Sequence, residues 1–232
     1  MSILAFDTSL AACSAAVWCD SGDGTSLHHA WEARERGHAE ALLPMILQVM
    51  EEAELGFEQL DRLAVTTGPG SFSGVRIGIA TARGLALASG LPLVGVNTLE
   101  LMAANVIARG QYGQVDCLAI AHDARRSEIY LGLFDSRKRP LSEAMLVGIE
   151  EALDMLPHHN VLVAGSGGPL LAEAARDVGR ELDTTLPDLL PDASELVQLA
   201  QNRKPTGEPV RPLYLRAPDA KPQRAQTLAR QP

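Results

Sequence analysis

The sequence predicts an α/β protein built as two similar lobes. A set of short apolar strands followed by helix–strand alternation occurs twice along the chain, and glycine turns follow strands and lead into helical patterns. The length agrees, because 232 residues hold one large domain or two lobes of about 100 residues, and either buries a substantial core.

Residues 3–6, 12–19 and 27–33 read as strands, the last two separated by the turn signal Ser21-Gly22-Asp23-Gly24. Ala39, Leu42, Ile46, Val49 and Ala53 then recur at three- and four-residue spacing, which predicts a helix. Leu43, Leu47 and Met50 widen its apolar stripe beyond what one face needs, and Pro44 either kinks the helix or lies in its first turn. A strand at 63–67 meets a glycine loop, and a second helix runs to about Ser89, where Gly90 and Pro92 supply the stop. A short strand at 93–96 follows. In the second half, 115–121 and 128–134 form a hairpin around His122-Asp123-Ala124-Arg125. A helix near 150–156 leads to a strand at 161–164 and the turn Gly165-Ser166-Gly167-Gly168. Asp192 with Glu195 gives a capping-box-like start to a helix through Gln201. Beyond Pro205 prolines interrupt the chain, and only 212–216 reads as ordered. The expected domains are an N-terminal lobe at 1–98, a C-terminal lobe at 99–210 and a basic tail at 211–232.

The loop TTGPGSFSGVRIG, from Thr66 to Gly78, has the strand–loop–helix form that can present backbone N–H groups to an anion. Its spacing argues otherwise. Gly68-x-Gly70-x-x-x-Gly74 is one residue too long for the dinucleotide fingerprint, and no Lys-Ser/Thr pair makes it a Walker A loop. Glycines that let the next helix pack closely explain it better. That helix also carries small residues at Gly74, Gly78, Ala82 and Ala86 or Ala88, for internal packing or for a protein–protein surface. Arg76 opposes the dipole of the helix start and calls for an acidic partner, Glu100 or Asp7.

Composition narrows the function. Apolar residues are 46%, charged 21% and aromatic 4%, an ordinary globular balance. A net charge of −9 argues against unassisted binding to nucleic acid or an anionic membrane. The local exception is the tail, with Arg211, Arg216, Lys221, Arg224 and Arg230 against Asp219. Cys13 and Cys19, on one strand, would lie roughly 20 Å apart, too far for a disulfide. With Cys117 they make an odd count, and the start MSILAFDTS has no basic region, so a reducing cytoplasm is expected. The longest charge-free apolar stretch, about 84–99 and broken by Gly90 and Pro92, is too short to span a bilayer.

GPGSFSGVRIG after a strand, with ILAFDTS near the start, resembles the TsaB (YeaZ) family, as do HAEALLPMI (38–46), HDARRSEIY (122–130) and VRPLYLR (210–216). These lie in order and span most of the chain. The resemblance implies lobes of the actin-like ATPase (ribonuclease H-like) type. It also implies a role as accessory subunit in making threonylcarbamoyladenosine in tRNA. Asp7, Thr8 and Ser9 would be the first phosphate turn and Gly165, Ser166 and Gly167 the adenosine-side turn. The catalytic TsaD relatives carry a metal-binding HxxxH where this chain has Thr98 and Met102, and acids where it has Ala11 and Ala12. By the same resemblance the chain is not an enzyme and has no metal site. No cofactor is required, and weak nucleotide binding is the most the cleft would do. It would bind TsaD through residues 38–53 and 74–89, TsaE would join, tRNA would be met only indirectly, and the chain alone would form a homodimer. The interface residues expected are His38, Leu42, Met45, Ile46 and Val49, with Gly74, Arg76, Gly78 and Ala82.

Other candidates are thinner. The pairs His28-His29 and His158-His159 point to opposite faces of an extended chain. His38 reads as a cap or paired residue, and His122, Asp123 and Arg125 as a solvated turn or a cleft wall. There is no HExxH, and Ser71 and Ser73 sit one place to either side of where a nucleophile elbow needs its serine. Two other readings stay open: a stand-alone phosphotransferase or ATPase of the actin-like superfamily, and a peptidase.

Overall fold

A computed structural model describes residues 1–20, 22, 24–110, 115–135, 137 and 139–216. The tail residues Asp219, Lys221, Arg224 and Arg230, and Ser21 and Asp23 of the first turn, lie outside the described residues.

The chain builds two five-stranded sheets of one design. In the first, β1 (Ser2–Asp7), β2 (Ala12–Asp20) and β3 (Thr25–Ala33) form an antiparallel meander, and β4 (Arg62–Thr66) and β5 (Leu93–Val96) add in parallel on the other side of β1. The order is β3-β2-β1-β4-β5. In the second, β6 (Cys117–Asp123), β7 (Glu128–Phe134) and β8 (Met145–Gly148) form the meander, and β9 (Val161–Ala164) and β10 (Asp183–Thr185) add in parallel, giving β8-β7-β6-β9-β10. The same order twice makes the two similar lobes that the sequence predicts. β8, β10 and helix α5 (Gly168–Asp177) have no strong sequence signal, because two are very short strands and the helix opens on Gly168 and Pro169.

Helices α1 (His38–Glu52) and α2 (Phe72–Ser89) cover one face of the first sheet, where Leu4, Phe6, Leu42, Ile46, Val49 and Ile79 share a core. Pro44 sits inside α1 on its exposed side. The other face is covered from far along the chain: α6 (Ala193–Gln201) packs Leu196, Val197 and Ala200 against Ile3, Ala5 and Val94. β1 is buried on both faces, which is why it reads as a continuous apolar run rather than an alternation. Helix α3 (Thr98–Ala108) lies between the lobes, with Leu101 in the first-sheet core and Leu99, Met102 and Val106 against Leu118 and Ile120 of β6. The segment 99–210 is therefore not a self-contained packing unit, since its last helix belongs to the first sheet. The second lobe closes its own core with α4 (Ile149–Met155) and α5 around Leu131, Val163 and Leu171.

Candidate functional site: the interlobe cleft and the outer face of α1 and α2

β1 ends in a turn whose residues are sealed inside the protein. Asp7, Thr8 and Ser9 are at most 1% exposed. The Ser9 hydroxyl donates to Asp7 Oδ1 at 2.6 Å, the Ser9 N–H donates to it at 3.2 Å, and the Thr66 hydroxyl donates to it as well. Oδ2 is buried without a partner. Burial therefore pushes the Asp7 carboxyl up from its ordinary range, against the hydrogen bonds that lower it.

The glycine loop seals this turn. A Cβ on Gly70 would lie 2.2 Å from the Ser9 carbonyl oxygen, and one on Gly74 would lie 2.0 Å from the Thr8 carbonyl oxygen. Thr8 Oγ1 in turn donates to the Gly74 carbonyl at 2.7 Å. Ser71 caps α2 by accepting from Gly74 N–H at 3.0 Å, so its hydroxyl is already engaged. The glycines thus serve contact between two backbones, with no room between them for an anion. The second expected turn is similar in kind. Gly165 and Gly167 are buried against the Ala121 carbonyl, and Gly167 N–H donates to it at 2.9 Å. Ser166 accepts from Asp123 N–H at 3.0 Å and meets His122 Nδ1 at 3.1 Å.

Between the lobes lies a cleft of about 780 Å³. Its walls are not the six turn residues expected to bind a nucleotide. The first lobe contributes Leu10, Ala11, Arg36 and His38, and the second contributes His122, Arg125 and Tyr130. Leu213 to Arg216 pass across it. His38 is 7% exposed and its Nε2 meets the Leu10 carbonyl at 2.9 Å, so it braces the cleft floor rather than capping α1, whose N-cap is Gly37. Sequence reasoning found His122 and Arg125 by their motif. It missed Arg36 and Tyr130, which carry no spacing signal.

Burial drives His122 down from 6.5 to about 4, while nearby Asp123 opposes the shift. A base whose folded pKa is depressed stabilises the fold fully above the unfolded pKa and loses that contribution as pH falls toward the folded one. Stability should therefore drop by about 2 kcal/mol between pH 7.5 and pH 5 through this group alone. Urea unfolding at both pH values checks it: the His122→Asn variant should show a pH dependence flatter by that amount.

The interface residues expected on α1 and α2 need a correction. His38, Leu42, Met45, Ile46 and Val49 are buried in this chain's own core, as are Gly74, Gly78 and Ala82. Little of their surface is open to a partner. Of that set Arg76 is exposed, and its partners are aromatic rather than Glu100 or Asp7. Its guanidinium lies 3.6 Å from the Phe72 ring centroid, and its Nε donates to the Tyr214 hydroxyl at 2.6 Å. A ring face supplies the negative potential that an acid would have. Glu100 is taken by Arg203. What α1 and α2 do present outward is a different stripe: Leu43 and Leu47, 48% and 50% exposed, and on α2 Phe72 and Leu87, 50% and 88% exposed. Gly84 lies between them with open space above it.

Comparison with known proteins agrees with this geometry. Residues 32–202 match the family described as TsaD, tRNA N6-adenosine threonylcarbamoyltransferase. Over 231 residues the chain is 36% identical to the tRNA threonylcarbamoyladenosine biosynthesis protein TsaB of Escherichia coli, covering 93% of this chain and 95% of that protein. The chain belongs to the TsaB family. The TsaB of Haemophilus influenzae is 32% identical over 93% of this chain and 94% of its own length. A Pseudomonas aeruginosa structure described as an uncharacterized protein with similarity to the peptidase YeaZ superposes with a TM-score of 0.78 at 30% identity, covering 93% of this chain and 99% of that one. The likeness to TsaB proteins thus runs over nearly the whole chain, and the YeaZ-like structure shares its fold. Among the described residues no group of three or more His, Cys, Asp or Glu side chains is placed to hold a metal ion. No helix among them is long and apolar enough to cross a membrane.

Proposed function

We propose that this protein is the non-catalytic subunit that binds a TsaD-type catalytic subunit and supports its transfer of a threonylcarbamoyl group to adenosine in tRNA. The observation that carries the reading is the near full-length likeness to proteins named for threonylcarbamoyladenosine biosynthesis. TsaD is the docking partner in this reading, along the outer stripe of Leu43, Leu47, Phe72 and Leu87. TsaE joins the complex. Without TsaD the same stripe pairs with a second copy in a symmetric dimer. The complex works in the cytoplasm, and tRNA is met through the other subunits, in keeping with the net charge of −9.

Two features support a non-catalytic role. At the positions matching the metal-binding pair of the active relatives, α3 carries Thr98 and Met102, both fully buried and the second in the apolar core. The Asp7 carboxyl, which a phosphotransferase would turn toward its nucleotide, is fully buried beneath the glycine loop. No cofactor is required in this reading, and Asp7, Thr8, Ser9 and Gly165 to Gly167 act as structural turns.

Reconstitution tests it. With TsaD, TsaE and the adenylate-forming enzyme present, omitting this chain should abolish modified tRNA, while the chain alone should consume no ATP. Modification that proceeds without it, or ATP turnover by the isolated chain, would overturn the proposal in favour of the phosphotransferase reading.

A further inference from the structure

The segment 210–216 belongs to neither sheet, yet it is fastened to both lobes. Val210 packs over β5, its Cγ1 3.0 Å from where a Cβ on Gly95 would be, and its carbonyl accepts from Arg83 of α2. Leu213 N–H donates to the Thr67 carbonyl at 2.8 Å, and the Leu213 carbonyl oxygen would lie 3.1 Å from a Cβ on Gly68. The Tyr214 ring stacks on Phe72, centroids 5.7 Å apart, with Arg76 hydrogen-bonded to its hydroxyl. Arg216 then reaches across the cleft. Its guanidinium donates to the Ala124 carbonyl at 3.0 Å and pairs with the Glu128 carboxylate.

Those last acceptors sit in an unusual turn. Arg125, Arg126 and Ser127 have φ of 64°, 59° and 58°, three consecutive non-glycine residues in the left-handed region. Such a run is unfavourable for L-residues, so it persists only where surrounding contacts impose it. Asp123 imposes part of it by accepting from Arg125 N–H at 2.7 Å. Backbone bonds of the same lobe hold it too, from Ala124 N–H to the Glu128 carbonyl at 2.9 Å and from Ile149 N–H to the Ser127 carbonyl at 3.3 Å, and Arg216 adds its contacts from outside the lobe.

The two ends of the segment are held unequally. The first-lobe end has backbone hydrogen bonds, close packing on two glycines and an aromatic stack. Among the described residues, the second-lobe end hangs on one guanidinium, 26% exposed and paired with a carboxylate that is 37% exposed. A pair so open to water is weak, and it is the end that lets go.

We infer that residues 210–216 are a strap that sets the opening of the interlobe cleft, that Arg216 is its release point on the second lobe, and that Tyr214 transmits the strap's state to the α2 face. Only the last clause rests on the proposed docking of TsaD there. When Arg216 detaches, the lobes hinge about α3, which packs between them, and the 124–128 turn relaxes. A partner seated on Phe72 and Arg76 grips Tyr214 as well, so docking and cleft opening become one equilibrium.

Spin labels on exposed Glu52 and Asp177, each replaced by cysteine in a Cys19→Ser background of the full chain, report the lobe separation; Cys13 and Cys117 are buried. Arg216→Gln should lengthen and broaden the distance distribution. It should also raise amide exchange at 124–128 about tenfold or more, the loss expected when hydrogen bonds to a charged donor go. Arg216→Lys should restore little, because an ammonium can pair with Glu128 but cannot fork to the carbonyl as well. An unchanged distribution in Arg216→Gln would overturn the strap. With TsaD added, the wild-type distribution should narrow and that of Tyr214→Ala should not; equal narrowing would overturn the transmission through Tyr214. If TsaD fails to bind the wild-type chain at all, the docking reading falls, while the first comparison still decides the strap.

Discussion

Gly74→Ala should be among the most destabilising single substitutions in this chain. The added Cβ would stand 2.0 Å from the Thr8 carbonyl oxygen and 2.5 Å from Ser71 Oγ, which caps the same helix. The first is backbone at the end of the central strand and cannot swing away; the second can rotate only by giving up its cap bond from Gly74 N–H. Relief requires lifting α2 from β1, which also gives up the hydrogen bond from Thr8 Oγ1 to the Gly74 carbonyl. Overpacking and the lost hydrogen bond together cost on the order of 3 kcal/mol or more. That is a large part of the 5–15 kcal/mol typical of a domain. Urea denaturation followed by circular dichroism measures it. Gly84→Ala, on the same helix with nothing within 4 Å of its Cβ, is the control and should be neutral or slightly stabilising. A folded Gly74→Ala chain of near wild-type stability would mean that the loop does not pack on the turn as described.

Leu47→Arg combined with Leu87→Arg should abolish dimer formation and co-purification with TsaD while leaving the melting temperature nearly unchanged. Both side chains are half exposed or more, so the folded chain loses little when they become charged. In an apolar interface each arginine would be desolvated without a partner, which reduces affinity by several orders of magnitude. Size-exclusion chromatography with light scattering, and pull-down on tagged TsaD, read the two outcomes separately. Ala82→Arg makes the opposite case. Ala82 is fully buried between α2 and the first sheet, so arginine there should destroy the fold rather than the pairing. If the double variant still binds TsaD, the partner lies elsewhere.

The contrast between these sites shows where sequence reading stops. On α1 the pattern marked both stripes: Leu42, Ile46 and Val49 on one side, and Leu43 and Leu47 as an excess beyond one face. Helical periodicity says which residues share a face. It does not say which face meets the sheet, because both stripes are apolar and the choice depends on how the helix docks. The small residues of α2 were ambiguous in the same way. Gly74, Gly78 and Ala82 admit either an internal or an external neighbour; Gly74 and Gly78 meet the turn after β1, more than sixty residues earlier, and Ala82 packs in the first-sheet core. Arg76 showed the limit for charge. The helix dipole announces that a cation there needs compensation, but Phe72 and Tyr214 supply it, and Tyr214 arrives from the far end of the described chain.

By itself the sequence determined the α/β class, the two-lobe plan and most strand and helix limits, because periodicity and turn residues act locally. The strand at 93–96, the stop of α2 at Gly90 and the Asp192 cap of α6 are each read from a few adjacent residues. It also carried the family, through motifs long enough to be specific. Only the tertiary structure decided which glycines touch backbone, which helix face is left exposed, and that residues 210–216 touch both lobes. Those outcomes are set by contacts across large sequence separations, and no local pattern encodes the partner on the other side of a contact.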